Sequence, residues 1–450
     1  IKEGNAEYGS HLFEEYLAGR SSFEKLITDS RLEVIKNAHI DDGRYLPLSP
    51  MPKDITYGTT TYKKGAMVMH SLRGYLGDDL FRTAQQKVLK DYAYSNLTAN
   101  TYRDALSAAS GIDLTDFFNR WVFDIGFYDF SIQDFHALEF SINTHEITIK
   151  QKLLKSNGFL KDAPVSITFV DQDNKLLTQK VLCTGEVTTI PLTLAFNPKA
   201  VFINAPLTLN LAQFNSLQKI TKKGSPNFTY SNLIVNVTEI QDSTWAYAEH
   251  HYTAPDASLN PNVKMNDLHF WKLTIADPEL ITMIGKIEYN TTWDSELLKN
   301  GEDSIQLFYR ANGTEDWLVY PFYTKSGGSA SDKKGSFVIS KYIKGEYATG
   351  NIDPAALSNL TAKQFSKLSV YPNPTTGKIN LDLAKIASKG DNNFNISFIN
   401  TSGEIVYESN LKATDISLDL PTVITSGSYQ LVISSENGEI IAQNSLIVLK

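Results

Sequence analysis

Only one cysteine, Cys183, occurs in the 450 residues, so the chain forms no intramolecular disulfide and no multi-thiolate metal site. Stability has to come from buried apolar surface, and the length suffices for two to four domains of roughly 100–200 residues each. Also missing is any run near the roughly 18 apolar residues that a spanning helix needs, so no membrane span is expected. Lysine and arginine nowhere cluster, and the formal net charge is -8. Both facts argue against phosphate-backbone binding as the main business, and nucleic acid is not an expected partner. The one small-residue run, SGGSASDKKGS, lacks the GxxxxGK[ST] spacing of a phosphate loop and reads as a hairpin or loop. No Ser-His-Asp or Cys-His set is legible either.

What is present changes character once along the chain. Residues 1–128 carry helical periodicity, and everything after them alternates as strands do. Val68, Met69, Leu72, Tyr75 and Leu76 fall at helical spacing, as do Leu80, Phe81, Ala84, Val88 and Tyr92 after the Gly77-Asp78-Asp79 break. Thr101 with Asp104 makes a capping-box-like start for a helix ending at Gly111, and Leu114, Phe117, Phe118 and Trp121 give the next segment one apolar face.

The strand-like part divides by its turns. HALEFSINTHEITIKQKLL, APVSITFVDQDNKLLTQKVL and TTIPLTLAF predict a β-sandwich over 129–213, followed by a linker, LQKITKKGSPN. An aromatic-rich all-β domain is expected over 228–350, then a second linker, NIDPAALSNLTAKQFSK, and a third β unit over 368–450. The aromatics of 228–350 could stack on sugar rings, although aromatics in strands more commonly build cores. Glu249, His250 and His251 are adjacent in an alternating stretch, where neighbours point to opposite faces, so they are not expected to form a metal site.

Chemistry is suggested by two strings taken together. In KEGNAEYGSHLFEEYLAG, Glu3 precedes a glycine at a helix start; in TYGTTTYKKGAMVMHSLRGYLGDDLF, Tyr62 lies in a Y-x-K-G string ahead of a long helix. Alone, Glu3 reads as an exposed carboxylate and Tyr62 as a core aromatic. In this order they resemble the aminopeptidase N family of zinc metallopeptidases, and the similarity runs on through TANTYRDALSAASGIDLTDFFNRWVFDIGF to about residue 210. The resemblance implies that Glu3 is the third protein ligand of a catalytic Zn2+ and that the Tyr62 phenol hydrogen-bonds the tetrahedral oxyanion. Both roles are physically apt, because a catalytic zinc keeps three protein ligands and one open position, and an oxyanion donor acts as charge develops.

Two departures qualify the resemblance. Asn5 stands where the family commonly has an apolar residue, a change expected to reshape the pocket floor. None of the eight histidines stands in HExxH, and the family's amine-binding G-x-M-E-N strand is missing. The opening, without an initiator Met or a signal peptide, is therefore expected to be a cut through a longer protein, between the second zinc-binding histidine and Glu3.

The tail has its own likeness. VYPNPTTGKINLDL, NTSGEIVYE and SGSYQLVISSENGE, closing on IIAQNSLIVLK, resemble the type A sorting domain of the type IX secretion system. That resemblance implies handling by the type IX secretion machinery and a secreted or cell-surface location in a Bacteroidota-type bacterium. Pro372, Asn373 and Pro374 are expected to form a rigid entry, with Gly377 and Gly403 at turns.

The expected architecture is multidomain: the α-helical part of a gluzincin catalytic domain, followed by β-sandwich domains. The expected function is the carboxy-terminal part of a secreted zinc aminopeptidase acting on peptide substrates, with the isolated chain inactive because HExxH is absent. The alternative is a non-catalytic surface protein binding peptide or glycan through a degenerate peptidase scaffold and β modules.

Overall fold

The computed structural model describes residues 1–138, 143–299, 301–327, 332–352, 370–381, 383, 393–400, 405–412, 414–435 and 440–450. The chain forms two compact units, one of residues 1–214 with 251–253 and the other of 215–250 with 254–450.

The first unit opens with α1 (Lys2–Ala18) and α2 (Arg20–Asp41), separated by Gly19 at φ 85°, a conformation that favours glycine. A π-helical turn, Thr60–Lys64, runs directly into α3 (Gly65–Leu76). Ala66, Met67, Val68, Met69, Ser71 and Leu72 are all fully buried, so α3 is enclosed on every face. Next come α4 (Asp78–Asp91), burying Phe81, Ala84 and Val88 on one stripe, and α5 (Ala99–Ser110).

The start of α5 differs from the sequence expectation. Its N-cap is Thr98, whose Oγ1 accepts from the Thr101 backbone N–H at 3.1 Å; Thr101 is thus the receiver of the cap. Asp104 lies too far into the helix to close a capping box. Gly111 ends the helix in the left-handed region, at φ 71°. Leu114, Phe117, Phe118 and Trp121 are all buried, as their spacing implied.

Strands follow: β1 (Phe127–Ala137), β2 (Thr144–Leu154), β3 (Ala163–Val170), β4 (Leu176–Cys183), β5 (Val187–Thr193) and β6 (Ala200–Ile203). They make two three-stranded antiparallel sheets, β1-β2-β5 and β4-β3-β6. Arg31 of α2, wholly buried, donates to the carbonyls of Leu211 (3.2 Å) and Gln213 (2.7 Å) and stacks on Phe214 at 5.3 Å. Asp129 of β1 holds the returning segment: its carboxylate lies 2.9 Å from His251 Nδ1 and accepts from Thr253 Oγ1 at 2.7 Å.

In the second unit, β7 (Gln213–Ile220), β8 (Ile234–Ile240), β9 (Thr244–His251), β10 (Val263–Met265), β11 (Phe270–Ile275), β12 (Ile281–Tyr289), β13 (Ile305–Arg310), β14 (Leu318–Val319), β15 (Tyr323–Gly327), β16 (Gly335–Ile339) and β17 (Gly345–Ile352) form two sheets. One has the order β14-β13-β17-β11-β9-β7 with β10 on β17, the other β15-β16-β12-β8. The expected linker LQKITKKGSPN begins as strand, since β7 runs to a buried Ile220. Gly327 pairs with Gly335 across β15 and β16, so the SGGSASDKKGS run joins a hairpin, though residues 328–331 lie outside the described residues. Trp271, Tyr289, Tyr309, Tyr320, Phe322, Phe337 and Tyr347 are buried in one core, which gives these aromatics a packing role rather than a sugar-stacking one.

The tail contributes β18 (Val370–Tyr371), β19 (Lys378–Leu381), β20 (Asn393–Ile399), β21 (Ile405–Lys412), β22 (Ser417–Asp419), β23 (Gly427–Ser435) and β24 (Ile440–Val448), in sheets β18-β19-β22 and β21-β20-β23-β24. The second linker, apart from its first two residues, and Gly403 lie outside the described residues.

His70, buried within α3, ties α1 to the end of the first unit. Its Nε2 donates to the Leu207 carbonyl at 2.6 Å, which leaves Nδ1 to accept from the Tyr8 hydroxyl at 3.2 Å. Burial pushes its pKa down to about 3 from the ordinary 6.5. Below pH 6.5 the unfolded chain therefore takes up a proton that the folded chain refuses, and stability falls with pH over the window from about 6.5 to about 3. Urea unfolding at stepped pH should show His70→Gln gaining on the parent by up to about 1.4 kcal/mol per pH unit across that window. Parallel curves for the two proteins would show that His70 is not the group responsible.

Candidate active site

Glu3 and Tyr62 are brought together by two glycines. Glu3 sits in the first turn of α1 and is followed by Gly4; Tyr62 sits in the π turn that ends at Gly65. A Cβ placed on Gly4 would stand 2.5 Å from the Gly65 carbonyl carbon, and one on Gly65 would stand 2.8 Å from Gly4 Cα. Neither distance is attainable by a real side chain, so the two helices touch backbone to backbone at this point. The residue before one glycine and the residue three before the other then project beside the crossing.

The π turn is fixed from its N-terminal side by Asp42. Its carboxylate accepts from the Thr59 N–H at 3.0 Å and the Thr60 N–H at 2.7 Å, satisfying donors that open the helix. Gly58 makes room for that carboxylate, because a Cβ there would lie 2.2 Å from Asp42 Oδ1. Beyond Tyr62, Lys63 donates to Glu7 of α1 at 2.8 Å. Lys64 turns inward, donating to the Leu46 carbonyl at 3.1 Å with its ammonium 4.9 Å over the Phe127 ring. Burial pushes the pKa of Lys64 down to about 8. A π turn places one extra residue in the helix and re-aims the side chains around it, a device common where a side chain must point out of register.

The electrostatics of the pair follow from this placement. The Tyr62 phenol has its pKa raised, first by desolvation and then by the negative Glu3 carboxylate and the Tyr57 phenol. The Tyr57 ring, largely exposed, lies 6.5 Å from that of Tyr62. Glu3 keeps 20% of its side chain exposed and makes an ion pair with Lys2 at 2.9 Å. Lys2 is almost fully in solvent, so it does not lock the carboxylate. A partly exposed carboxylate of this kind is a suitable oxygen donor for zinc. The fit to a zinc site is partial: among the described residues no group of three or more His, Cys, Asp or Glu is arranged to hold a metal.

Other residues singled out in the sequence are placed elsewhere. Asn5 faces α4 and α5 rather than the Tyr62 side, with its Oδ1 3.1 Å from the Tyr102 hydroxyl. His250 Nε2 lies 2.9 Å from His269 Nδ1, and His269 Nε2 lies 3.3 Å from Asp294, in a buried network of the second unit. His251 engages Asp129 within the first unit, so the adjacent His250 and His251 do not converge, as strand alternation implied. Sequence reasoning missed the supporting residues Gly4, Gly58, Gly65 and Asp42. The signal was present for three of them, since a glycine inside or beside a helical pattern needs a packing reason.

Residues 1–121 match the Peptidase family M1 domain, and residues 369–448 match a secretion system C-terminal sorting domain. The helical segment is thus similar to family M1, and an aminopeptidase N is among the relatives it matches. Among curated relatives, "Probable aminopeptidase 2" of Sulfurisphaera tokodaii is 29% identical over 112 residues, 24% of this chain and 13% of its own length. Aminopeptidase N of Lactococcus lactis subsp. lactis is 35% identical over 66 residues, 15% of this chain and 8% of its own length. The chain thus spans well under a quarter of the relatives it matches. A solved structure, Legionella pneumophila aminopeptidase A in complex with aspartic acid, aligns at 16% identity over 47% of this chain and 23% of that one. Its TM-score, 0.36, is too low to establish a shared fold. No helix among the described residues is long and apolar enough to cross a membrane.

The crossing makes a direct prediction. Gly4→Ala must push α1 off the π turn and should cost about 1–3 kcal/mol by overpacking. Gly9→Ala, on the same helix with nothing within 4 Å of its Cβ, should instead be neutral or stabilise by roughly 0.5–1 kcal/mol. Chemical denaturation of both variants decides the point. Equal effects would mean that helix propensity, not the backbone contact, dominates.

Proposed function

We propose that this chain contributes Glu3 and Tyr62 to the active site of a secreted zinc metallo-aminopeptidase that removes amino-terminal residues from peptides. The observation that supports it most is the crossing of the Glu-Gly helix and the Tyr-bearing π turn, inside a segment that matches family M1. When bound, zinc supplies a Lewis acid that activates water. Glu3 is then its carboxylate ligand. The two imidazole ligands and the general-base glutamate come from polypeptide outside these 450 residues, because the sequence holds no HExxH.

The role of Tyr62 follows from its proton. A phenol whose pKa is raised stays protonated through neutral pH, so it can donate to the oxygen that becomes negative as the peptide carbonyl turns tetrahedral. The same donor does little for the planar ground state, which makes it a contributor to kcat rather than to binding. We read the helical part as the carboxy-terminal half of a gluzincin catalytic domain and the two sheets after it as a β-sandwich, with 228–350 an accessory domain. The sorting-domain match supports our reading of the location, export by type IX machinery to the surface or surroundings of a Bacteroidota-type bacterium.

By itself the 450-residue chain should show no zinc-dependent aminopeptidase activity, since one ligand and no general base leave water unactivated. In a polypeptide extended upstream of Ile1 in its own reading frame, Glu3→Ala should abolish bound zinc by elemental analysis. Tyr62→Phe should keep the zinc and lower kcat by about 100–1000-fold with KM little changed. Retained zinc in the extended Glu3→Ala, or full activity in the extended Tyr62→Phe, would overturn the assignment, and zinc-dependent activity of the chain alone would overturn the placing of the other ligands outside it.

A further inference from the structure

Asn5 stands two residues after Glu3, on the same first turn and a half of α1, and its side chain enters a small polar cluster between three helices. Its Oδ1 lies 3.1 Å from the Tyr102 hydroxyl of α5 and 3.4 Å from Gln85 Nε2 of α4. The same hydroxyl lies 2.8 Å from Gln85 Oε1, so it donates to one of two amide oxygens while the Gln85 amide supplies a second donor. Met69 Sδ of α3 closes the cluster at 3.8 Å from that hydroxyl. Tyr102 is buried, with its ring against Phe118 at 6.0 Å, and burial pushes its pKa up to about 12. The hydroxyl therefore remains a donor throughout the working range.

The buried Tyr102 hydroxyl has to be satisfied, because an unpaired buried hydroxyl costs about 1–3 kcal/mol, and the half-buried amides of Asn5 and Gln85 are its partners. In this setting of α1 the Asn5 oxygen reaches both partners at once. An apolar side chain at this position would pack with far weaker directional preference. The Gly4–Gly65 contact fixes the separation of α1 from the π turn, and Glu7 to Lys63 and Tyr8 to His70 hold the second turn of the helix. Asn5 adds the anchor nearest Glu3, on the side of α1 that faces α4 and α5.

We infer that Asn5, Gln85 and Tyr102 form a positioning clamp that sets the rotation of α1 and so holds the Glu3 carboxylate beside Tyr62. The inference deepens the proposed function and rests on its reading of Glu3 and Tyr62 as a working pair. None of the three clamp residues touches substrate or metal in this account; each acts through Glu3.

The test uses the 450-residue chain and requires neither zinc nor activity. 3-Fluorotyrosine placed at position 62 reports its surroundings through its fluorine chemical shift, read at one fixed pH. Glu3→Gln should move that signal by changing the group beside the ring. Asn5→Ala and Tyr102→Phe, the latter keeping the buried ring, should each move it as the helix turn bearing Glu3 is displaced. Combining either with Glu3→Gln should add little further. A merely structural role would lower the unfolding midpoint and leave the Glu3-dependent shift intact, and that result would overturn the clamp. No response to Glu3→Gln itself would instead remove the pair on which the proposed function rests, so the two failures are distinct.

Discussion

The contact between Gly4 and Gly65 is the constraint on which the candidate site depends. Helices that meet through side chains keep their axes roughly 8–10 Å apart, and a carboxylate and a phenol across that gap would belong to different surfaces. Two facing glycines let the backbones meet, so residues one and three positions away share a single surface. Three further links then pin α1 along its length: Glu7 to Lys63, Tyr8 to His70 and Glu15 to Arg73, the last at 2.6 Å. The first is partly exposed and weak, while the second is buried in an apolar setting, where hydrogen bonds hold geometry more firmly.

The π turn is the counterpart of that contact. A tight α-helical start would present Tyr62 in step with α3, every face of which is already occupied by the core. The extra residue of the π turn breaks that register just before burial begins, so the phenol stays at the surface while Lys64 is carried inside. The irregular turn is stabilised from both ends. Asp42 takes the free N–H groups at its start, and the Gly65 contact anchors its end. The cost of burying Lys64 is offset by its carbonyl partner and by the Phe127 ring.

Much of the architecture could be read from the sequence because its period changes from helical to alternating within a few residues, near Phe127 where β1 begins. The cores of α3 and α4 followed from spacing, and the hairpin through β15 and β16 from its small residues. The N-cap of α5 was misplaced because Thr98 and Thr101 are chemically equivalent candidates, and only the backbone decides which one stands outside the helix. Glu3 and Tyr62 were legible only as members of an ordered pattern, since each alone is an ordinary residue. What could not be read was their support: a lone glycine does not name its facing partner, and Asn5 gives no hint that Tyr102 and Gln85 lie across from it. Long-range pairings of this kind are set by packing, which periodicity does not encode.

A chain with one cysteine must also protect its sheet edges without covalent help, and the tail shows how. The outer edge of β24 would offer unpaired backbone groups to any passing strand. The Pro372-Asn373-Pro374 entry, expected to act as a rigid lead, instead lies along that edge. Asn373 imitates a strand residue with its side chain, donating to the Ser445 carbonyl at 2.6 Å and accepting from the Ile447 N–H at 2.9 Å. Thr375 continues the imitation with its backbone, through bonds to Ile447 and Leu449. Prolines on either side have no N–H to leave unsatisfied, which is why a Pro-Asn-Pro string can lie on an edge without itself becoming a new one. The edge of the terminal strand is thereby closed by a segment that cannot propagate a sheet.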